Sequence, residues 1–199
     1  RKQGGDNTDA LYVGAPINGT DTYRVTGHRG SARYFGVTVV ETGETPWGGG
    51  VAGALFGDQI ETDADGNFEL YIGGEERTKN WLPTTPGSRK LFIREAFDGW
   101  YETPTSLTIE RIGMDAPRPI PSPERMTEAI DWAGAFLKGA MTDWPEHSWE
   151  TSGGVCDPQQ LNLFPAGKNA NSADDAKRGR MAAHMIWALA PDEALIVEM

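Results

Sequence analysis

Asn80-Trp81-Leu82-Pro83-Thr84-Thr85-Pro86-Gly87, followed almost at once by Lys90-Leu91-Phe92-Ile93-Arg94-Glu95-Ala96-Phe97, joins an aromatic-proline loop to a half-buried strand. Successive strand side chains point to opposite faces, so Arg94 and Glu95 cannot line the same cleft, and Arg94 shares its face with Phe92. If that face is interior, the guanidinium needs a carboxylate or carbonyl partner to offset its desolvation; if exterior, it is ordinary surface.

Outward from this strand, apolar residues up to about residue 113 alternate in twos rather than recurring every three or four. The stretches are Ala10 to Ala15, Thr22 to Thr26, Ala32 to Val40, Gln59 to Thr62, Asn67 to Ile72, Arg89 to Phe97 and Ser106 to Ile112. Ile17-Asn18-Gly19-Thr20, Gly27-His28-Arg29-Gly30 and Asp63-Ala64-Asp65-Gly66-Asn67 supply turn residues that tolerate positive φ, and are expected to form hairpins that set the register. Trp47-Gly48-Gly49-Gly50 shows no strand pattern and reads as a mobile loop. The fold class expected is mainly β, an antiparallel β-sandwich.

Asp115-Ala116-Pro117-Arg118-Pro119-Ile120-Pro121 is too proline-dense for helix or central strand. The division expected is therefore a β-sandwich core over 1–114, a proline-rich connection over 115–121, and a helical and loop extension over 122–199, all within one domain. Ser122 suits an N-cap with Pro123 at the first helical position, and Met126, Ile130, Ala133, Leu137 and Met141 then recur at helical spacing. Trp132 and Phe136 widen that apolar face, which is expected to lie against a sheet. Asp143 to Asn171 reads as a long loop. A second helix is expected from Ser172 through Met181, Met185 and Leu189, stopping before Pro191. Both helices are expected to pack on the sandwich. The chain begins at Arg1 and ends on Ala194-Leu195-Ile196-Val197-Glu198-Met199, which reads as a strand returning to the sheet and suggests a fragment or processed chain.

With 18 basic against 29 acidic residues the formal charge is -11, without the concentrated positive field that a nucleic-acid backbone or an anionic membrane surface requires. No apolar run approaches the ~20 residues that span a bilayer, so the chain reads as soluble. A single cysteine, Cys156, excludes an internal disulfide. A reducing, cytoplasmic setting is the simplest context, and secretion without bridges is equally compatible.

Gly48-Gly49-Gly50-Val51-Ala52-Gly53 satisfies G-x-G-x-x-G, but Pro46-Trp47 stands where a parallel strand should end and Gly57 interrupts any following helix. Asp63, Asp65 and Asn67 have the oxygen spacing of a calcium loop, yet Phe68 and Gly74 occupy the positions of its glycine and its bidentate glutamate. His28, His147 and His184 are scattered without metal-ligand spacing, so neither a metal nor another cofactor is indicated. Ser31, Ser88 and Ser152 lack a nucleophile elbow. Cys156 would be a nucleophile only if His147 or His184 reached it.

More suggestive are Arg94, Glu95, Asp98, Trp100 and Tyr101 with Trp81. Flat amphipathic rings on a rigid sandwich stack well against sugars or other flat ligands, and Trp47, Trp81, Trp100, Trp144 and Trp149 all lie in or beside loops. The leading expectation is a cleft binding a small organic ligand or glycan through Arg94, Trp81, Trp100 and Tyr101. The alternative is a metal-independent lyase, isomerase or hydrolase with Glu95 or Asp98 as general base and Arg94 steadying a developing anion. A third reading is a structural or assembly subunit, homo-oligomeric or associated with the remainder of a longer chain.

Gly5-Asp6-Asn7-Thr8-Asp9-Ala10-Leu11-Tyr12, Thr22-Tyr23-Arg24-Val25-Thr26-Gly27-His28-Arg29-Gly30, Asn80-Trp81-Leu82-Pro83 with Arg94, and Pro191-Asp192-Glu193-Ala194-Leu195 together resemble bacterial proteins with domain of unknown function 1214, often partnered with domain of unknown function 1254. The resemblance covers most of the first 112 residues and the last few. It implies a β-rich, jelly-roll-like body and a chain that continues beyond a strand like the one ending at Met199. It assigns no reaction and no role to Trp81, Pro83 or Arg94. The long Trp/Pro loop between the two helices departs from the family pattern.

Overall fold

The computed structural model describes residues 7–43, 49–114, 120–143 and 187–196. Of these, 7–43, 49–114 and 120 fall in a first compact unit, and 121–143 and 187–196 in a second.

The first unit is mainly β. Its strands are β1 (Ala10–Pro16), β2 (Tyr23–His28), β3 (Tyr34–Glu41), β4 (Val51–Phe56), β5 (Asn67–Ile72), β6 (Trp81–Leu82), β7 (Ser88–Ala96) and β8 (Ser106–Arg111). They form two four-stranded sheets, ordered β1-β7-β3-β4 and β6-β5-β2-β8. The first is antiparallel; the second is mixed, because β6 runs parallel to β5. This corrects the expectation of a wholly antiparallel body.

Alternation places the core. On β3 the inward side chains are Phe35, Val37 and Val39, on β5 Phe68, Leu70 and Ile72, and on β7 Leu91 and Ile93; with Val25 and Leu82 they join one apolar cluster drawn from both sheets. The rings of Phe35 and Phe68, one from each sheet, lie 6.0 Å apart. Each such side chain contributes about 1.5–3 kcal/mol by leaving water.

Two strand expectations fail. Gln59 to Thr62 forms no strand: Phe56 and Gln59 close a turn on each other, and Ile60 alone enters the core. The alternation there reflects one buried side chain rather than a pleat. Two strands were missed: the two-residue β6, inside the segment read as an aromatic-proline loop, and β4, which begins immediately after the glycine stretch read as a loop and overlaps the literal G-x-G-x-x-G match. Glycines weaken a strand signature without preventing pairing to a strong neighbour such as β3.

The hairpin expectation also fails. Only β3 and β4 are antiparallel partners adjacent in sequence; β1 to β2, β2 to β3 and β4 to β5 each pass from one sheet to the other. Gly66 takes the expected positive φ, at 83°, whereas Gly19 and Gly30 serve close approach at these crossings. A Cβ on Gly19 would fall 1.7 Å from the Thr85 carbonyl oxygen, and one on Gly30 would fall 2.0 Å from that of Thr103.

Two polar devices hold the sheets and loops. Glu95, 2% exposed, points inward beside Ile93. Its Oε1 accepts hydrogen bonds from the Thr105 amide at 3.0 Å and the Thr105 hydroxyl at 2.6 Å, and lies 3.8 Å from Nη1 of Arg29. Arg29 also donates to the Ala32 carbonyl at 3.0 Å and stacks over Phe35 at 4.5 Å. Burial, the larger influence, lowers the affinity of this guanidinium for its proton, and Glu95 opposes it. Asn80, at φ 46°, is the second device. Its Nδ2 donates to the carbonyls of Glu61 at 2.8 Å and Glu69 at 3.0 Å, and its Oδ1 accepts from the Glu61 amide at 2.8 Å. The left-handed conformation is one that asparagine tolerates.

In the second unit α1 spans Pro123–Met141, with the Ser122 hydroxyl accepting from the Arg125 amide at 3.3 Å. The cap, the proline and the spacing agree with expectation. Along its apolar stripe Ile130 is 67% and Leu137 65% exposed, and Trp132 stacks on Phe136 of its own helix. A period of 3.6 reports a helix without reporting what covers it. The second expected helix lies outside the described residues up to Ile186. Leu189, Ala190 and Ala194-Leu195-Ile196 are irregular, and no strand returns to the sheet among the described residues.

Two stability outcomes follow, both measurable by urea denaturation. Glu95→Ala, leaving Arg29 with its charge uncompensated, should cost about 2–4 kcal/mol. Asn80→Ala should cost about 2 kcal/mol and more than Asn80→Gly, because both lose the side-chain bonds but only alanine resists the left-handed backbone.

Candidate functional site

Arg94 projects from the outer face of the first sheet, stacked 4.8 Å from the Phe92 ring and 5.9 Å from that of Tyr12. Trp100 and Tyr101 lie in the β7–β8 loop, 89% and 88% exposed. Trp81 lies in the second sheet, its indole N–H donating to the Gly73 carbonyl at 3.1 Å. The structure does not gather these residues into one cleft. Loop aromatics are placed by which sheet each loop serves, and the two sheets turn their outer faces away from each other.

The candidate bases fare similarly. The oxygens of Glu95 are engaged by Thr105 and Arg29 inside the core, an arrangement of a structural ion pair, and Asp98 is exposed and bonded to Arg33 Nη1 at 3.0 Å. Among the described serines, Ser31 accepts from the Thr103 amide at 2.8 Å and Ser88 from the Thr85 amide at 3.0 Å. His28 is exposed at the end of β2. His147, His184, Ser152, Cys156, Trp47, Trp144 and Trp149 lie outside the described residues.

Among the described residues, concave surface occurs on the outer face of the second sheet. Two adjoining depressions, of about 750 and 620 Å³, share Asp63, Asn67, Phe68 and Glu69. The larger extends over Tyr71, Arg77 and Lys79; the smaller reaches His28 and Ser106. Pairing explains the placement. Tyr71 stands opposite Trp81 and Ile72 opposite Leu82; the latter two are buried, so Tyr71 and Trp81 share the outward side. The Asn80 bonds hold the loop containing Arg77 and Lys79 against β5.

Charge here is mostly paired. Lys79 Nζ lies 2.7 Å from Glu61, and Arg24 bridges Glu69 at 3.4 Å and Glu110 across three strands. The hydrogen bond with Glu110 is the main influence raising the Arg24 pKa. Asp63 accepts the Asn67 amide at 2.8 Å and the Asp65 amide at 3.0 Å; these bonds, led by the Asn67 side chain, hold its carboxyl below the usual range. The aspartates thus form a turn, and it enters β5 from the other sheet rather than closing a hairpin. No metal-ligating cluster occurs among the described residues. Arg77 differs: its guanidinium carbon sits 3.3 Å from the centre of the Tyr71 ring, and it makes no ion pair among the described residues. A cation oriented by an aromatic face and lacking a carboxylate is suited to accept an anionic group.

Sequence reasoning missed Tyr71, Arg77 and Arg29. Tyr71 was readable as an outward residue of its strand and Arg29 as a cation near a predicted turn, but nothing local marks Arg77 in Glu75-Glu76-Arg77-Thr78.

No helix among the described residues is long and apolar enough to cross a membrane. None of the curated proteins compared matches the chain. The crystal structure of an uncharacterized protein from Burkholderia cenocepacia is similar over 96% of this chain and 52% of its own, with 30% identity and a TM-score of 0.77. The chain thus spans about half the length of that protein. The VPA0106 protein from Vibrio parahaemolyticus matches over 44% of this chain and 26% of its own, at 14% identity and a TM-score of 0.35. Residues 7–95, which hold all the strands from β1 to β6 and most of β7, match the family model described as Protein of unknown function (DUF1214).

Proposed function

We propose that the chain is a binding module, its body a jelly-roll-like sandwich whose second sheet presents the binding surface on its outer face. The ligand is a small hydroxyl-rich organic molecule or glycan carrying an acidic group. The reading rests on Arg77, held over Tyr71 at the wall of the larger depression without a carboxylate partner among the described residues. It transfers the anchoring role from Arg94 to Arg77. Trp81 is kept, because its register beside Tyr71 extends the aromatic surface; Trp100 and Tyr101 are dropped. Asn67, Glu69 and Lys79 offer donors and acceptors to hydroxyl groups, and an open polar surface suits a sugar better than an enclosed apolar ligand.

Uronic-acid oligomers titrated into isotope-labelled protein should shift the amides of Asn67, Tyr71 and Arg77, and neutral oligosaccharides should bind less tightly. Arg77→Ala should weaken binding at least about tenfold, the scale of a lost charge-assisted contact, whereas Trp100→Ala should leave it unchanged. Shifts confined to the first sheet, or affinity indifferent to Arg77, would refute the assignment.

A further inference from the structure

Among the described residues the first sheet ends at β1, which pairs with β7 on one side only. Two bonds flanking the strand show which residues face the open edge. The Phe97 amide donates to the Asp9 carbonyl at 2.8 Å and the Ile17 amide to that of Arg89 at 3.0 Å. Since bonding direction alternates along an antiparallel ladder, Leu11, Val13 and Ala15 direct their backbone groups to β7, and Ala10, Tyr12 and Gly14 direct theirs outward. No hydrogen bond to those outward groups is present among the described residues.

The same strand exposes three consecutive apolar side chains, Leu11 at 38%, Tyr12 at 53% and Val13 at 40%. Leu11 and Val13 point to the side of the sheet on which Glu95 and Ile93 are buried. Edge strands usually carry charge, extreme shortness or a covering segment that prevents pairing. β8 carries Glu110 and Arg111, β6 has two residues, and β4 has Leu82 and Pro83 packed at Gly53. β1 has no charged residue and only Pro16, at its end, as a break.

We propose that this edge is a self-association surface, on which a second copy of the chain adds its own β1 antiparallel and joins the two first sheets into one. A two-fold axis at Tyr12 is the register that satisfies the edge. Tyr12 then meets Tyr12 of the second copy, and Ala10 meets Gly14, so every outward amide in the overlap finds a carbonyl. In the intervening positions Leu11 stands opposite Val13 of the second copy, covering both apolar pairs reciprocally at the closer of the two cross-strand spacings. The isologous geometry of a two-fold dimer requires this kind of self-complementarity. The edge is neutral while each chain has a formal charge of -11, so association strengthens with salt.

Sedimentation velocity on the 199-residue chain tests this directly. The expected result is a concentration-dependent monomer–dimer equilibrium that tightens in high salt. Leu11→Lys combined with Val13→Lys sets like charges opposite each other and should weaken dimerisation at least about tenfold, with circular dichroism unchanged. Tyr12→Pro removes an outward amide together with the ring stacked on Phe92, and should weaken association more than Tyr12→Ala, which removes the ring alone. Tyr12→Cys in a Cys156→Ser background should oxidise to a disulfide-linked dimer, because a hydrogen-bonded antiparallel pair holds its Cα atoms about 5.5 Å apart. A monomer in both salts at all concentrations, a dimer indifferent to these substitutions, or a cysteine variant that stays monomeric on oxidation would overturn the proposal.

Discussion

The inward carboxylate of Glu95 is the constraint around which the first unit is arranged. It occupies the third of three inward positions on a central strand, after Leu91 and Ile93. A buried carboxylate without partners would oppose folding, so the chain must bring Thr105 from the approach to β8 and Arg29 from the exit of β2 to the same point. Thr105 and Arg29 flank strands of the second sheet, whereas Glu95 belongs to the first. The polar group therefore specifies how the two layers meet at one end of an apolar core that would itself tolerate sliding.

That requirement fits a topology in which sequence neighbours rarely pair. The chain crosses repeatedly between sheets, and close approach at Gly19 and Gly30 makes room for loops that are distant in sequence. Most pairing is nonlocal, which makes closure entropy a substantial part of the folding barrier. It also leaves the outer faces free to specialise. The second sheet carries the Glu69–Arg24–Glu110 ladder and the polar depressions. The first carries the cation–aromatic stack of Lys90, Phe92, Arg94 and Tyr12.

Asn80 shows how a motif residue can shape a surface without belonging to its chemistry. Its amide bonds the backbone on either side of it and commits its polar atoms to neighbouring segments. The loop of Arg77 and Lys79 is thereby held beside Tyr71. Arg94, the more conspicuous arginine in the sequence, instead packs its charge over rings on the opposite sheet. Position within a motif marked both neighbourhoods, but only the fold distinguished a residue that braces a surface from one that lines it.

Alternation in β2, β3, β5 and β7, and the Ser122-Pro123 start of α1, were legible because they follow from backbone periods of two and 3.6 that any few residues display. The need of an interior charge for a partner was equally legible, but it was posed for Arg94, and the structure places it on Glu95 of the opposite face instead. Tertiary structure alone decided that the partner is Arg29, that β4 forms from a glycine-bordered stretch, that β6 runs parallel to β5, and that Arg77 stands over Tyr71. Each of these depends on segments far apart in the chain meeting at a particular register. Local periodicity specifies which way a side chain points, and carries no information about what it will find there.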